Sequence, residues 1–159
     1  MSTAPEDFTV GSLYLAGLAQ ARAPHAGLIV PTSITSGTLV HIRIDRDTSP
    51  FWAYQSRKQK ISGDVFMTTL LKLHDISDGI ITKEQLEEAA ASVPVPENDT
   101  FGECLPWILQ VVQKLNEAGL VKLVDVEALG KEFEAFAESN RVFATSTRFP
   151  NVRTSEFCS

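Results

Sequence analysis

The clearest strand signal in this chain is Thr38-Leu39-Val40-His41-Ile42-Arg43-Ile44, where every second residue is β-branched. β-Branched residues suit the pleated surface of a sheet, and side chains along a strand alternate between its two faces. The preceding residues, Pro31 to Gly37, have the composition of a turn, and Asp45 to Pro50 form another. The pattern therefore predicts a strand that pairs with the segment before it in a hairpin.

Working outward from this strand, four more are expected. His25 to Val30 is a short segment bounded by Pro24 and Pro31. The other expected strands are Leu13 to Leu18, Phe51 to Gln55 and Phe66 to Leu73. Because short links join these neighbours, we expect them to pair in antiparallel fashion.

Helix signals fill the second half of the chain. Thr82 and Gln85 fit a capping box, in which the two residues satisfy free backbone N–H groups at a helix start. Thr100 and Glu103 fit a second capping box, and Asp125 is expected to cap a third helix. The expected helices lie near residues 82–92, 101–118 and 126–139.

Strands followed by helices indicate an α+β fold, a mainly antiparallel sheet with helices packed on one face. We expect one domain over residues 1–140. The remaining residues, 141–159, are polar, and we expect either a loose tail or an edge strand. Cys158 in that tail is expected to be an ordinary exposed thiol.

Composition narrows the classes of function. Hydrophobic residues make up 43% of the chain and charged residues 21%, as in globular domains. A net charge of −6 argues against a nucleic-acid partner. No apolar run approaches the roughly 20 residues of a membrane helix, and the N-terminus lacks the features of a secretory signal. Two cysteines do not make a disulfide framework, so we expect a cytoplasmic protein without a membrane span.

The residues that can carry chemistry are Cys104, His25 and His41. Cys104 lies near the start of the second expected helix, where the helix dipole and free N–H groups favour a thiolate. His25 and His41 flank the hairpin and are expected to share a face of adjacent strands. A nucleophilic thiol needs a base, and the base needs an orienting group. These three residues therefore form a candidate thiol site.

Each of these residues also has a structural interpretation. A cysteine on an apolar helix flank is commonly a small core residue, and strand histidines are commonly packed core groups. Two histidines and one cysteine are chemically able to bind a metal ion, but no short-spaced ligand pair favours that use. We expect no metal and no cofactor.

Three segments carry a resemblance to known enzymes: Pro24-His25-Ala26-Gly27-Leu28-Ile29-Val30, Leu39-Val40-His41-Ile42 and Glu103-Cys104-Leu105-Pro106-Trp107. In this order they resemble the circularly permuted papain-like enzymes, which include the lecithin-retinol acyltransferase-like proteins and cell-wall amidases of the permuted type. The resemblance implies a permuted papain-like fold with a cysteine nucleophile, the first histidine as base and the second as its orienting group. Those families commonly have Asn before the cysteine and an aromatic residue after the first histidine, where this sequence has Glu and Ala.

The chain also resembles small uncharacterised fungal proteins over roughly residues 12–138. Val93-Pro94-Val95, ahead of a helix start that contains cysteine and tryptophan, is part of that likeness. It implies no activity.

Together these features predict a cysteine-dependent hydrolase or acyltransferase. It would act on an amide or ester of a small-molecule or peptide-like substrate through an acyl-thiol intermediate on Cys104. One alternative is a catalytically inactive domain of the same fold that binds a small molecule. Another is a protein-interaction domain that uses the aromatic residues Phe51, Trp52, Tyr54 and Trp107. The sequence leaves the oligomeric state open.

Overall fold

The fold consists of one six-stranded sheet and three α-helices. The structure is a computed structural model that describes residues 4–19, 25–45, 47–64, 66–140 and 149–159. The strand order is β4-β3-β2-β1-β5-β6. All neighbours pair antiparallel except β5 and β6, which are parallel. The strands are β1 Leu13–Leu18, β2 His25–Pro31, β3 Ser36–Arg43, β4 Ala53–Lys60, β5 Met67–His74 and β6 Asn151–Thr154.

The helices are α1 Lys83–Ala91, α2 Cys104–Glu117 and α3 Val126–Ser139, and the predicted α+β class is confirmed. The predicted capping box at α1 is present. The Gln85 backbone N–H donates to Thr82 Oγ1 over 3.0 Å, and the Thr82 backbone N–H donates to Gln85 Oε1 over 2.9 Å. Asp125 caps α3 as predicted, since its Oδ1 accepts a hydrogen bond from the Ala128 N–H.

The start of α2 differs from the prediction. Gly102 adopts a φ of +93°, a left-handed conformation that interrupts the helical backbone conformation between Thr100 and Cys104. The helix begins at Cys104, and Glu103 precedes it without a side-chain capping bond. The Thr100 carbonyl accepts a hydrogen bond from the Trp52 indole N–H instead. The second capping box was therefore wrong, although Cys104 still occupies the first turn of its helix.

Strand alternation divides the buried side chains into two layers. On one face of the sheet, residues such as Leu28 and Val40 pack against α2 through Trp107 and Ile108. On the opposite face, Ile29 and its neighbours form a second cluster to which no α-helix contributes among the described residues. The α-helices therefore cover one face of the sheet, as predicted.

The C-terminal residues complete one edge of the sheet. Residues 141–148, part of the expected tail, lie outside the described residues, whereas Asn151–Thr154 form the edge strand β6 beside β5. Cys158 forms an isolated bridge with Leu123 and is only 3% exposed. Burial, with the nearby Glu132 carboxylate, raises the pKa of Cys158 to about 12. The expectation of an exposed thiol was therefore wrong, because this segment packs back onto the domain.

Candidate functional site

His25 and His41 form a buried pair at the centre of the candidate site. His25 is the first residue of β2, and His41 lies on the adjacent antiparallel strand β3. His25 Nε2 lies 2.7 Å from His41 Nδ1, and the two rings meet edge to face with centroids 5.0 Å apart. The hairpin register thus places both imidazoles on the same face of the sheet, as predicted.

Gln55 extends this pair into a chain of three side chains. It lies on β4 directly opposite His41, and its Oε1 is 2.8 Å from His41 Nε2. With the amide oxygen towards the ring, this nitrogen must carry the hydrogen, since an amide oxygen only accepts. His41 Nδ1 then accepts from His25 Nε2–H, and Nδ1 of the neutral His25 carries no proton.

Gln55 was absent from the predicted site, although the sequence contains a signal for it. Residues 41 and 55 are nearly equidistant from the middle of the predicted turn Asp45 to Pro50. A tight antiparallel hairpin about that turn places residue 41 opposite residue 54 or 55, which lie on opposite faces of the sheet. The structure shows the register that pairs His41 with Gln55.

Both imidazoles are neutral near pH 7. Burial lowers the pKa of His25 from 6.5 to about 4, and the positive charges of Arg57 and Arg43 act in the same direction, as does His41. Burial also lowers the pKa of His41 to about 4, with a smaller opposing effect from the Gln55 hydrogen bond. An unprotonated His25 is the state that a general base requires.

The Cys104 thiol is buried at the start of α2, with 8% of the residue exposed. Burial raises the pKa of this thiol. Hydrogen bonding from the backbone of Ala26, Leu105 and Cys104 itself acts in the opposite direction by favouring the thiolate. The sulfur therefore sits in a small group of backbone donors, where the N-terminus of α2 meets the start of β2.

The structure places the thiol and the histidine pair on different sides of the sheet. Cys104 meets the backbone of Ala26, the residue after His25, and the Ala26 side chain belongs to the helix-facing cluster. The side chain of His25 lies on the other face, level with Leu18. Among the described residues, no hydrogen bond links the thiol to either imidazole. The two histidines are brought together, whereas the full three-residue cluster is not assembled in this state.

Two cavities follow from this division. The thiol opens on a groove of about 720 Å³ between α2 and α3, lined by apolar residues that include Leu105, Leu109 and Phe133. The histidine pair lines a second cavity of about 500 Å³, together with Arg43 and Arg57.

A family model matches residues 13–122, and its description is a family of unknown function, DUF6540. This chain belongs to the DUF6540 family. The matched region spans β1 to β5, α1 and α2, so it contains Cys104, His25, His41 and Gln55. Helix α3 and strand β6 lie beyond the match. No curated protein and no solved structure matches this DUF6540 chain.

The described ranges of this DUF6540 chain hold neither a metal-binding cluster nor a membrane-spanning helix. Within those ranges, no three His, Cys, Asp or Glu side chains are grouped to hold a metal ion. No helix there has the length and apolar character needed to cross a membrane.

Proposed function

We propose that this member of the DUF6540 family is a cysteine-dependent hydrolase or acyltransferase with Cys104 as nucleophile, His25 as base and His41 as orienting residue. The observation that carries the proposal is the Gln55–His41–His25 hydrogen-bond chain, in which the neutral His25 carries its proton on Nε2 and so has an unprotonated Nδ1. The substrate is an amide or ester of a small-molecule or peptide-like compound. A permuted papain-like topology and a cytoplasmic location belong to the same proposal.

The proposed reaction proceeds through an acyl-thiol. His25 Nδ1 takes the proton of the Cys104 thiol, and the thiolate sulfur bonds to the carbonyl carbon of the substrate. Backbone N–H groups at the start of α2 hold the resulting oxyanion. The carbon–nitrogen or carbon–oxygen bond of the substrate then breaks, and His25 gives its proton to the leaving amine or alcohol. Water or a second alcohol or amine finally releases the acyl group, again with His25 as base.

His41 and Gln55 support this sequence without touching the reacting atoms. Their hydrogen bonds fix the tautomer and orientation of His25, and they accept part of the positive charge that develops on its ring. Proton transfer requires His25 and Cys104 to come within about 3 Å of each other. Since His25 begins β2 and Cys104 begins α2, the proposal requires substrate binding to bring ring and thiol together around the start of β2. Catalytic hydrogen bonds commonly tighten only when substrate is bound.

The proposal is tested by acylation of the intact protein with p-nitrophenyl butyrate, followed by mass spectrometry of its peptides. We expect one butyryl group on Cys104, lost in Cys104→Ala. His25→Gln should slow acylation by at least about 100-fold, the usual scale of general-base catalysis. His74→Gln, which removes the third histidine, serves as the matched control and should leave the rate unchanged. Equal rates in His25→Gln and the original protein would exclude His25 as base, and the absence of an adduct would exclude the thiol enzyme.

A second candidate function is a binding domain of the same fold that carries out no reaction. The observation that favours it is the separation of the thiol and the histidine pair into different cavities on opposite faces of the sheet. In that case Cys104 is a core thiol whose raised pKa keeps it protonated. Iodoacetamide would then modify Cys104 no faster than the buried Cys158, and no p-nitrophenyl ester would leave an adduct.

A further inference from the structure

We propose that the cavity beside the histidine pair binds a small organic anion through Arg43 and Arg57. The cavity has a volume of about 500 Å³, within the usual range for small-molecule sites, and lies on the sheet face away from the α-helices. This inference goes beyond the proposed reaction and does not depend on the reactivity of Cys104.

Positive charge is concentrated in this cavity although the whole chain carries a net charge of −6. Arg43 and Arg57 lie on the adjacent strands β3 and β4, and alternation places both on the same face as His41. Both arginines also contribute to the low pKa values of His25 and His41, so all four groups share one electrostatic environment. Two cations converging on one cavity are a common arrangement for recognising carboxylate or phosphate groups.

The neighbouring carboxylates neutralise these arginines only in part. Arg43 Nη2 lies 3.9 Å from Asp45 Oδ2, a long contact between two side chains that are each about 40% exposed. Arg57 Nη2 donates instead to the neutral Gln59 Oε1 over 2.7 Å, while Asp64 accepts a hydrogen bond from Gln59 Nε2. In the described part of the chain, neither guanidinium donates a hydrogen bond to a carboxylate. Both therefore retain donors for an anionic ligand.

The rest of the cavity indicates an organic ligand rather than a bare inorganic ion. Trp52, Phe66 and Leu18 supply apolar surface beside the two arginines. Phe66 is 60% exposed, so its ring is accessible to a ligand in this cavity. A carboxylate or phosphate held by the guanidinium groups would thus place an attached apolar body against these side chains.

Isothermal titration calorimetry with benzoate and phenyl phosphate tests the inference, with benzyl alcohol as the uncharged probe of similar size. We expect one binding site for at least one anion, and binding of benzyl alcohol at least about tenfold weaker. Arg57→Gln and Arg43→Gln should each weaken anion binding at least about tenfold, in line with loss of a charge-assisted hydrogen bond. Lys58→Gln is the matched control. It removes one positive charge from the next residue of the same strand, on the opposite face, and should change the affinity less than about twofold.

The histidine pair provides a second readout. Because both arginines lower the pKa values of His25 and His41, an anion seated between them should raise both values, as followed by NMR of the imidazole carbons. Cys104→Ala should retain both the affinity and this shift, which separates the test from that of the thiol reaction. Equal binding of benzyl alcohol, equal losses in Lys58→Gln and Arg57→Gln, loss of binding in Cys104→Ala, or no anion binding at about 10 mM would each overturn the inference.

Discussion

Acidification from pH 7 to pH 5 should destabilise this domain through the buried histidine pair. Both imidazoles have a pKa of about 4 in the folded protein, against 6.5 for the ordinary group. Between these values the unfolded chain binds protons that the folded chain does not. The free energy of unfolding therefore falls as the pH drops below 6.5, and the loss continues until about pH 4.

The magnitude follows from the size of the shifts. One pKa unit corresponds to about 1.4 kcal/mol. At pH 5, which lies 1.5 units below 6.5, each imidazole therefore lowers the free energy of unfolding by about 2 kcal/mol. The pair together removes at most about 4 kcal/mol, a large share of the 5–15 kcal/mol that is typical for a domain. Because the slope of unfolding against urea is about 2 kcal/mol per molar, the midpoint should fall by about 1–2 M.

Urea unfolding at pH 7 and pH 5, followed by tryptophan fluorescence, measures this loss. In the double variant His25→Gln/His41→Gln, the free energy of unfolding should fall by less than about 1 kcal/mol between pH 7 and pH 5, because the two titrating groups are gone. The difference between the losses of the original protein and the double variant then measures the contribution of the pair.

The pH range of the loss distinguishes the histidine pair from a hydrogen-bonded carboxylate such as Asp75. Hydrogen bonds from Lys72, Ser77 and Thr9 lower the pKa of Asp75 below its ordinary value of 3.8. Its contribution is present above 3.8 and is lost only at lower pH. An equal loss between pH 7 and pH 5 in the double variant and the original protein would refute the assignment to the histidine pair.

Two further predictions concern packing. In Gly37→Ala the new Cβ would lie 2.5 Å from the Val30 carbonyl oxygen and 2.7 Å from Pro31 Cα, so a loss of about 2 kcal/mol or more is expected in thermal unfolding. Gly102 has a positive φ, but no atom lies within 4 Å of the Cβ that Gly102→Ala would add, so this variant should lose less stability. Equal losses of stability in the two variants would contradict the predicted clash at Gly37. For Cys158, iodoacetamide should label the thiol slowly in the folded protein and rapidly in urea, because burial keeps it protonated. Rapid labelling in the folded state would show that the C-terminal segment does not pack as described.

Local patterns predicted the parts of this fold that depend on short-range interactions. The alternation in Thr38 to Ile44 identified β3, and Thr82 with Gln85 marked the start of α1 within one residue. These two features follow from backbone geometry and from side chains close together in sequence, so the sequence alone contains enough information for them. The shared face of His25 and His41 was also predicted, but a shift of one residue in register would have reversed it, and the structure supplied the register.

Some features were predicted wrongly because the same short stretch of sequence is compatible with two different local structures. Thr100 to Glu103 has the residue types of a capping box, but Gly102 takes a left-handed conformation and Trp52 binds the Thr100 carbonyl. Cys158 has a polar neighbourhood in sequence, but its segment packs against the residues before α3. In both cases a partner distant in sequence decided the outcome.

The sequence by itself determined the α+β class, most of the strands and helices, and the three residues that can carry chemistry. Only the tertiary structure decided which of them meet. It joined His25 and His41 to Gln55, gathered Arg43 and Arg57 into the same cavity, and placed Cys104 across the sheet against Ala26. The physical reason is that side chains alternate between the two faces along a strand, so the register of a hairpin fixes which of its side chains share a face. The position of a helix over the sheet, in contrast, depends on the packing of the whole apolar core.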